Sequence, residues 1–244
     1  DGHSFDYHAT GAQILIGRLI VLALIPSVQF LPVFNLVAGA IASLVFFLAM
    51  PFLACRGLRF NARVTSYRNV RFDFRGGYRG AFLVFLVYPL LSVFTAYLTL
   101  PFVTRAANRY LVNNSYYGDR KFEFDSTIGK YYRAFLLTFG FGLLVMGVLV
   151  LHIAHSRTGQ LSFSGRIVDI FRDPVGQLTA LYVLILAFAP IFVFYRAMVR
   201  NIVFGQMLLG EKHTFESKLH PLGMAWIVFS NAVIMLITLL FGTA

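Results

Sequence analysis

The chain has 244 residues, of which 58% are hydrophobic and only 13% are charged. Because soluble domains carry roughly 25% charged residues, this composition excludes an ordinary soluble domain and predicts a polytopic membrane protein. The net charge of +11 would suggest nucleic acid binding in a soluble protein. Here the basic residues flank apolar segments, which instead favours arginine side chains held against the anionic headgroups of membrane lipids and no nucleic acid partner.

Six stretches approach the roughly 20 apolar residues that a membrane-spanning helix requires. In chain order they are 11–31, 34–54, 81–104, 134–154, 175–195 and 222–243. Only a few residues separate the first two, which predicts a tight helical hairpin. The sequence therefore predicts a membrane all-α bundle of five to six hydrophobic segments, one or two of them re-entrant or broken, in a single integral membrane domain over 1–244.

The distribution of basic residues bears on the third stretch, 81–104. If all six stretches cross, the loops place ten Lys and Arg on each side, although cytoplasmic loops are normally enriched in these residues. If 81–104 enters and leaves on one side, the tally becomes 17 against 3. Pro89 and Pro101 favour a break because proline removes a backbone donor. A continuous helix of this length would reach about 36 Å and cross fully, so both interpretations stay open, with the re-entrant one preferred.

Four short segments outside these stretches resemble one another. They are SFDY at 4–7, SYRNVRFDF at 66–74, SYYGDRKFEFD at 115–125 and, less closely, HTFES at 213–217. Their apolar and polar residues alternate, and a period of two predicts short strands. Since a lone hairpin is marginal in water, we expect these segments to pack into one cytoplasmic β layer that caps the membrane domain.

The predicted hairpins occupy the surroundings of these segments and combine basic with aromatic residues. The cytoplasmic hairpin regions lie near 1–10, 56–80, 105–131 and 198–221. Their candidate functional residues are Arg68, Asn69, Arg71, Phe72, Phe74, Arg109, Phe122, Phe124 and Arg200. Arginines at the ends of emerging helices suit both the helix dipole and lipid phosphates, and we expect the four phenylalanines to be buried together.

Three longer stretches carry a family resemblance. DGHSFDYHATGAQILIGRLI at 1–20, RFNARVTSYRNVRFDFRGGYRGAF at 59–82 and NRYLVNNSYYGDRKFEF at 108–124 resemble the YjgN family, a domain of unknown function in multi-pass proteins of the bacterial inner (cytoplasmic) membrane. The family pattern begins earlier and ends later, so the chain resembles a family core trimmed at both ends. The resemblance implies a location but no reaction, substrate or cofactor, and it suggests a membrane metallopeptidase as a protein partner.

Signals of catalysis are sparse. The sequence contains no HExxH, GxSxG, P-loop or GxGxxG motif, so we expect neither an enzyme nor a cofactor. His152 and His155 are spaced to place both imidazoles on one helix face, as metal ligands require. Histidines at a membrane interface are the preferred interpretation of this pair, and we expect no metal site.

Polar side chains inside apolar stretches are better candidates, because they are expensive in a membrane. The candidate binding residues are Gln13, Arg18, Asn35 and Asn231. Arg18 either snorkels to lipid phosphates or faces an internal polar cavity. A cavity would favour transport or channel-like handling of a small anionic solute or lipid. A closed bundle would favour a structural or accessory scaffold whose β cap docks a partner protein.

Overall fold

The computed structural model describes residues 4–155, 174–210 and 213–237; at 20, 21, 24, 27, 148–155, 174–186, 236 and 237 it describes the backbone alone. Within these residues the protein is mostly helical and has a small antiparallel sheet. The helices are α1 (Gly11–Phe34), α2 (Leu36–Val64), α3 (Tyr78–Phe94), α4 (Leu100–Asn113), α5 (Ile128–His155), α6 (Pro174–Phe204) and α7 (Pro221–Ile237).

The chain divides into two compact units. The first comprises Asp1–Ser126 and Gln206–Phe215, and the second comprises Thr127–Gly205 and Glu216–Ala244. The sheet and the helices α1 to α4 belong to the first unit. In the second, α6 packs against both α5 and α7, and Asn201 near the end of α6 holds the following loop by donating to the Leu219 carbonyl over 2.8 Å.

The sheet is a meander of seven short strands, each paired with the next in chain order. They are β1 (Phe5–Tyr7), β2 (Thr65–Tyr67), β3 (Val70–Phe74), β4 (Ser115–Tyr117), β5 (Arg120–Phe124), β6 (Met207–Leu209) and β7 (His213–Thr214). Strands form in all four segments that sequence alternation predicts, whereas β6 lies just before the fourth segment and was not predicted. The prediction that the strands share a single β layer is confirmed. Individually these strands are too short for stability, so the shared sheet supplies the missing backbone partners.

The burial predicted for the four phenylalanines is half right. Phe74 and Phe124 are each only 3% exposed, because each lies at the end of its strand next to the helices. Phe72 and Phe122 are half-buried. Their rings stack on each other with centroids 6.5 Å apart, and they line an open groove. The alternation of apolar and polar residues identified which face of each strand is apolar. It did not show how much of that face the helices cover.

Tight turns account for two residues that the sequence offered as functional. Arg68 and Asn69 form the two-residue loop between β2 and β3, with φ values of 50° and 60°. Positive φ at both central positions is the geometry of a type I′ hairpin turn, whose twist matches that of the strands. The RNVRF segment therefore begins with a hairpin turn. Gly118, with φ of 57°, lies in the turn of the next hairpin, between β4 and β5.

The apolar stretch 81–104 is broken, as the sequence favours. Its first helix, α3, contains a π-helical segment at Leu83–Val87, and the chain turns before α4 with positive φ at Ala96 and Tyr97. The turn satisfies its own polar groups, since the Thr95 and Thr99 hydroxyls lie 2.8 Å apart. Pro101 occupies the start of α4, where a missing backbone donor does no harm.

Two helical segments with described side chains are long and apolar enough to cross a membrane: Leu36–Val64 and Ala187–Phe204. Tyr78–Phe94 and Pro221–Met235 are apolar but shorter. The expectation of five to six spans is thus not supported by these lengths. The stretches 134–154, 175–195 and 222–243 extend partly outside the residues with described side chains. The two long helices suggest membrane association, and large apolar side chains such as Phe34, 87% exposed, are consistent with it.

Candidate functional site

The helices α1 and α2 form an antiparallel hairpin that is closed at its connection. Asn35 is the N-cap of α2, with its side-chain oxygen accepting from the Ala38 backbone N–H at 3.0 Å. Beside it, Gly39 is buried so tightly that an added β-carbon would overlap Pro32. Asn35, predicted as a binding residue, is therefore a capping residue at the closed end.

A cleft of about 780 Å³ opens between the same two helices toward their other end. Its lining is mainly apolar and comprises Tyr7, Gln13, Ile14, Ile16, Gly17, Arg18, Leu22, Arg56, Gly57, Phe60 and Asn61. Gln13 also forms a capping box with Thr10, whose backbone N–H donates to the Gln13 amide oxygen over 3.2 Å. The structure thus brings two predicted candidates, Gln13 and Arg18, into one cleft with Arg56.

A basic pocket of about 480 Å³ continues this cleft toward the sheet. It is lined by His8, Gln13, Arg56, Arg59, Phe60, Arg63, Val64 and Arg71. The cleft and the pocket share Gln13, Arg56 and Phe60, so they adjoin each other in the first unit. The spacing of Arg56, Arg59 and Arg63 places all three on one face of α2, which explains how a single helix supplies most of the pocket.

The arginines of the pocket differ in how far they are already engaged. Arg59 donates to the Gly76 carbonyl over 2.7 Å, and Arg63 lies 3.5 Å from the Asp73 carboxylate. Arg56 stacks over the Phe52 ring at 5.3 Å. The Arg71 side chain makes neither a hydrogen bond nor an ion pair with the part of the chain that the structure describes, although its backbone carbonyl accepts from the Gly118 N–H at 3.0 Å. Arg56 and Arg71 therefore retain most of their capacity to bind an anion.

Asp73 is the carboxylate nearest to this group, and it is already committed. Its side chain accepts from Arg75 at 3.0 Å, and this hydrogen bond, followed by those from the Phe74 backbone N–H and from Arg63, holds the pKa of Asp73 below its usual value. The carboxylate stays ionised and offsets mainly Arg75 and Arg63. No carboxylate is among the described residues that line the pocket, and four of its lining residues are arginines.

A closed core fixes the β3–α3 loop and with it one wall of the pocket. Cys55, Phe74 and Ala81 form its centre. The Cys55 thiol donates to the Gly76 carbonyl at 3.3 Å, the same carbonyl that Arg59 binds. Tyr110 closes the loop by donating to Gly77 over 2.9 Å, and burial, followed by the neighbouring Cys55, raises the pKa of Tyr110. Cys55 and Tyr110 therefore both help to position the loop.

An open groove of about 550 Å³ lies elsewhere in the first unit, between the aromatic face of the sheet and the helices α2 and α4. Phe5, Phe72 and Phe122 line it together with Leu58 and Leu111. The rings form a row across the strands, with Phe5 and Phe72 centroids 6.2 Å apart. This groove is apolar and differs in chemistry from the basic pocket.

Other predicted residues are not part of the basic pocket. Arg109 is exposed on α4, and Arg200, in the second unit, stacks over Phe204 at 5.3 Å. Asn231 is exposed on α7. The side chains of His152 and His155 lie outside the described ones, and among the residues searched no three metal-ligating side chains cluster.

The arginines of α2 are the part of the site that sequence reasoning missed. From sequence, Arg56, Arg59 and Arg63 belong only to the arginines at the end of an emerging helix. Their helical spacing is visible in the sequence, but nothing in it indicates that a cleft opens between α1 and α2 beside them. Arg71 was predicted as part of the hairpin, and it reaches the pocket because β3 pairs with β2 directly after α2.

The described residues thus form a mostly helical fold with a basic pocket in its first unit. The chain belongs to the family described as "Bacterial protein of unknown function (DUF898)", whose family model matches residues 1–243. Neither a curated protein nor a solved structure matches the chain.

Proposed function

We propose that this protein is a multi-pass protein of the bacterial inner membrane, of the YjgN type, with its sheet on the cytoplasmic side. The excess of arginine beside the strands supports this orientation. Pairing of β3 with β4 brings both ends of the broken segment between them to one sheet. This pairing supports a re-entrant path for 81–104, and the seventeen-to-three distribution of basic residues agrees with it.

We further propose that the protein binds and handles an anionic solute or lipid headgroup, moving it into or across the membrane. The observation that carries this proposal is the 480 Å³ pocket with four arginines in its lining. Guanidinium groups bind phosphate and carboxylate through paired, charge-assisted hydrogen bonds. Several arginines with little compensating charge repel one another, and a bound anion relieves that repulsion.

The anion site can be tested by thermal unfolding of the purified protein in a zwitterionic detergent, titrated with inorganic phosphate and glycerol 3-phosphate. The double variant Arg56→Gln with Arg71→Gln should weaken the stabilisation by at least roughly tenfold in apparent affinity, because each lost charged hydrogen bond contributes about 1.5–3 kcal/mol. Arg109→Gln, which removes an exposed arginine outside the pocket, is the matched control. Equal titration curves for all three proteins would refute the site.

The aromatic groove supports a second candidate function, a scaffold that docks a partner protein on the sheet. Phe5 is 67% exposed at the outer strand β1, and it continues the row of rings across the sheet. A photo-crosslinking residue at Phe5 should capture one defined protein from the membrane if this function is correct. Crosslinks to lipid alone would reject the scaffold and leave the anion-binding proposal in place.

A further inference from the structure

We infer that the ligand of the basic pocket is an anionic membrane lipid that lies along the α1–α2 cleft. Its phosphate would bind at Arg56 and Arg71, and one acyl chain would occupy the cleft between the helices. This inference rests on the proposed anion-binding function and specifies the ligand of that site.

The adjacency of the two spaces supports an amphiphile over a small anion. The basic pocket and the apolar cleft share three lining residues, so a ligand with a charged end and an apolar chain can contact both. A phosphate ion would fill only the basic part. It would leave Ile14, Leu22 and Phe60 lining an open apolar cleft, whereas an acyl chain would cover them.

The direction of the cleft matches the orientation of a lipid. From Arg63 to Arg56 the basic face of α2 extends about 10 Å along the helix axis. On α1 the cleft lining continues toward the helix connection as far as Leu22, with Arg18 as its one charged residue, and the hairpin closes where Gly39 meets Pro32. The charged end thus lies beside the sheet and the apolar end points toward the helix connection, as the headgroup and chain of a lipid in the adjacent leaflet would lie.

Two glycines keep the cleft open without serving the packing. A β-carbon added at Gly17 or Gly57 would meet no atom within 4 Å, and neither residue has positive φ. Glycine inside a helix is about 1 kcal/mol less favourable than alanine. At these two positions glycine therefore lowers helix stability without allowing α1 and α2 to approach each other more closely. Both line the cleft, and side chains there would occupy the volume assigned to the acyl chain.

The decisive variants are therefore Gly17→Leu and Gly57→Leu, which fill the cleft while leaving the arginines intact. Binding of phosphatidylglycerol, glycerol 3-phosphate and phosphatidylcholine is measured by native mass spectrometry and by thermal unfolding. Wild type should bind phosphatidylglycerol at least roughly tenfold more tightly than either of the other two, since each buried methylene contributes about 0.8 kcal/mol. Each leucine variant should lose most of this advantage and keep the weaker binding of glycerol 3-phosphate.

Gly140→Leu is the matched control, because a β-carbon at Gly140 on α5 also meets nothing within 4 Å and the residue does not line the cleft. If glycerol 3-phosphate binds as tightly as the lipid and the cleft variants behave like this control, the lipid inference is wrong and the anion site stands. If neither anionic compound binds better than phosphatidylcholine, the proposed function fails and the inference fails with it.

Discussion

Two stripes of side chains along α2 have contrasting surroundings. The first stripe contains Cys55, Leu58 and Ala62, and the second contains Arg56, Arg59 and Arg63. The first packs with Phe74 and Ala81 into a closed core, whereas the second faces an open basic depression. Both stripes follow the helical period of three to four residues.

The difference between the two stripes shows how one helix can stabilise the fold with one face and line a candidate binding site with another. The apolar stripe fixes the β3–α3 loop, and this loop presents the Gly76 carbonyl that orients Arg59. The basic stripe can remain open because the core on the neighbouring stripe keeps α2 in place. The following predictions test this contrast, from the largest expected effect to the smallest.

The first prediction concerns the sheet that packs beside both the apolar and the basic stripe of α2. Its expected effect is the largest, because each position is either labelled or not labelled from a given side. Val70 and Asp119 are exposed near hairpin turns. Single cysteines at these positions, in a Cys55→Ala background, should both react with an impermeant thiol reagent from the cytoplasmic side and not from the outside. Labelling of the two positions from opposite sides would show that β3 and β4 lie on different sides of the membrane. The two strands then could not pair, and the sheet that supports the core and the pocket would not exist.

The second prediction concerns the closed core. Phe74→Ala should destabilise the protein by about 3–5 kcal/mol, because it leaves a cavity at a fully packed site. Phe72→Ala, on the same face of the strand but half-buried in the groove, should cost roughly half as much. Chemical denaturation in detergent gives both values. Equal losses for the two variants would show that the groove is as closed as the core.

The third prediction concerns the charge inside the cleft. Arg18→Gln should weaken binding of an anionic lipid by roughly fivefold, corresponding to about 1 kcal/mol, since Arg18 lies in the apolar cleft and not in the basic pocket. Arg18→Lys keeps the charge but loses the paired donors, so its loss should be smaller. Lipid titrations monitored by thermal unfolding measure both, and unaltered binding in Arg18→Gln would mean that Arg18 only snorkels to bulk lipid.

The smallest effect is a pH dependence at Asp73. Arg75 and Arg63 lower the pKa of this carboxyl in the folded protein from its usual 3.8. Its contribution is therefore fully present above this value and is lost as the pH falls through the lower folded pKa. Because Asp73 and its partners are partly exposed, we expect less than about 1 kcal/mol.

The pH effect is measured by comparing wild type with Asp73→Asn in unfolding experiments from pH 6 down to pH 2. Wild type should be slightly the more stable at pH 6, and the two curves should converge in acid. A difference that persisted unchanged at the lowest pH would indicate that the asparagine disturbs the strand itself and that the ion pairs contribute nothing.

Local features were predictable from sequence where short-range physics decides them. Alternation in 66–74 and 115–125 identified the strands, because a period of two has only one regular structure that satisfies it. The break in 81–104 was also visible in its prolines and in the balance of arginines. The turn at Arg68 and Asn69 was not predicted, because their chemistry suggested a functional role and their left-handed backbone geometry appears only in the structure.

Contacts between distant residues could not be read in the same way. Gln13, Arg18 and Asn35 looked equivalent as polar residues in apolar helices, yet the hairpin puts the first two at an open cleft and the third at a closed cap. Likewise Phe72 and Phe74 occupy equivalent positions in the alternation, and only the extent of the neighbouring helices separates half-buried from buried. Such differences depend on where the helices cross and splay.

The sequence by itself determined that this chain is apolar, largely helical, basic at its helix ends and provided with short strands, because composition and periodicity act through local geometry and solvation. The tertiary structure alone decided the order and register in which these strands pair, and it alone brought arginines from α2 and β3 together beside the α1–α2 cleft. Strand pairing and helix packing bring together residues that are far apart in sequence. These contacts depend on how the surfaces of several helices and strands fit together, and no single segment of the sequence contains that information.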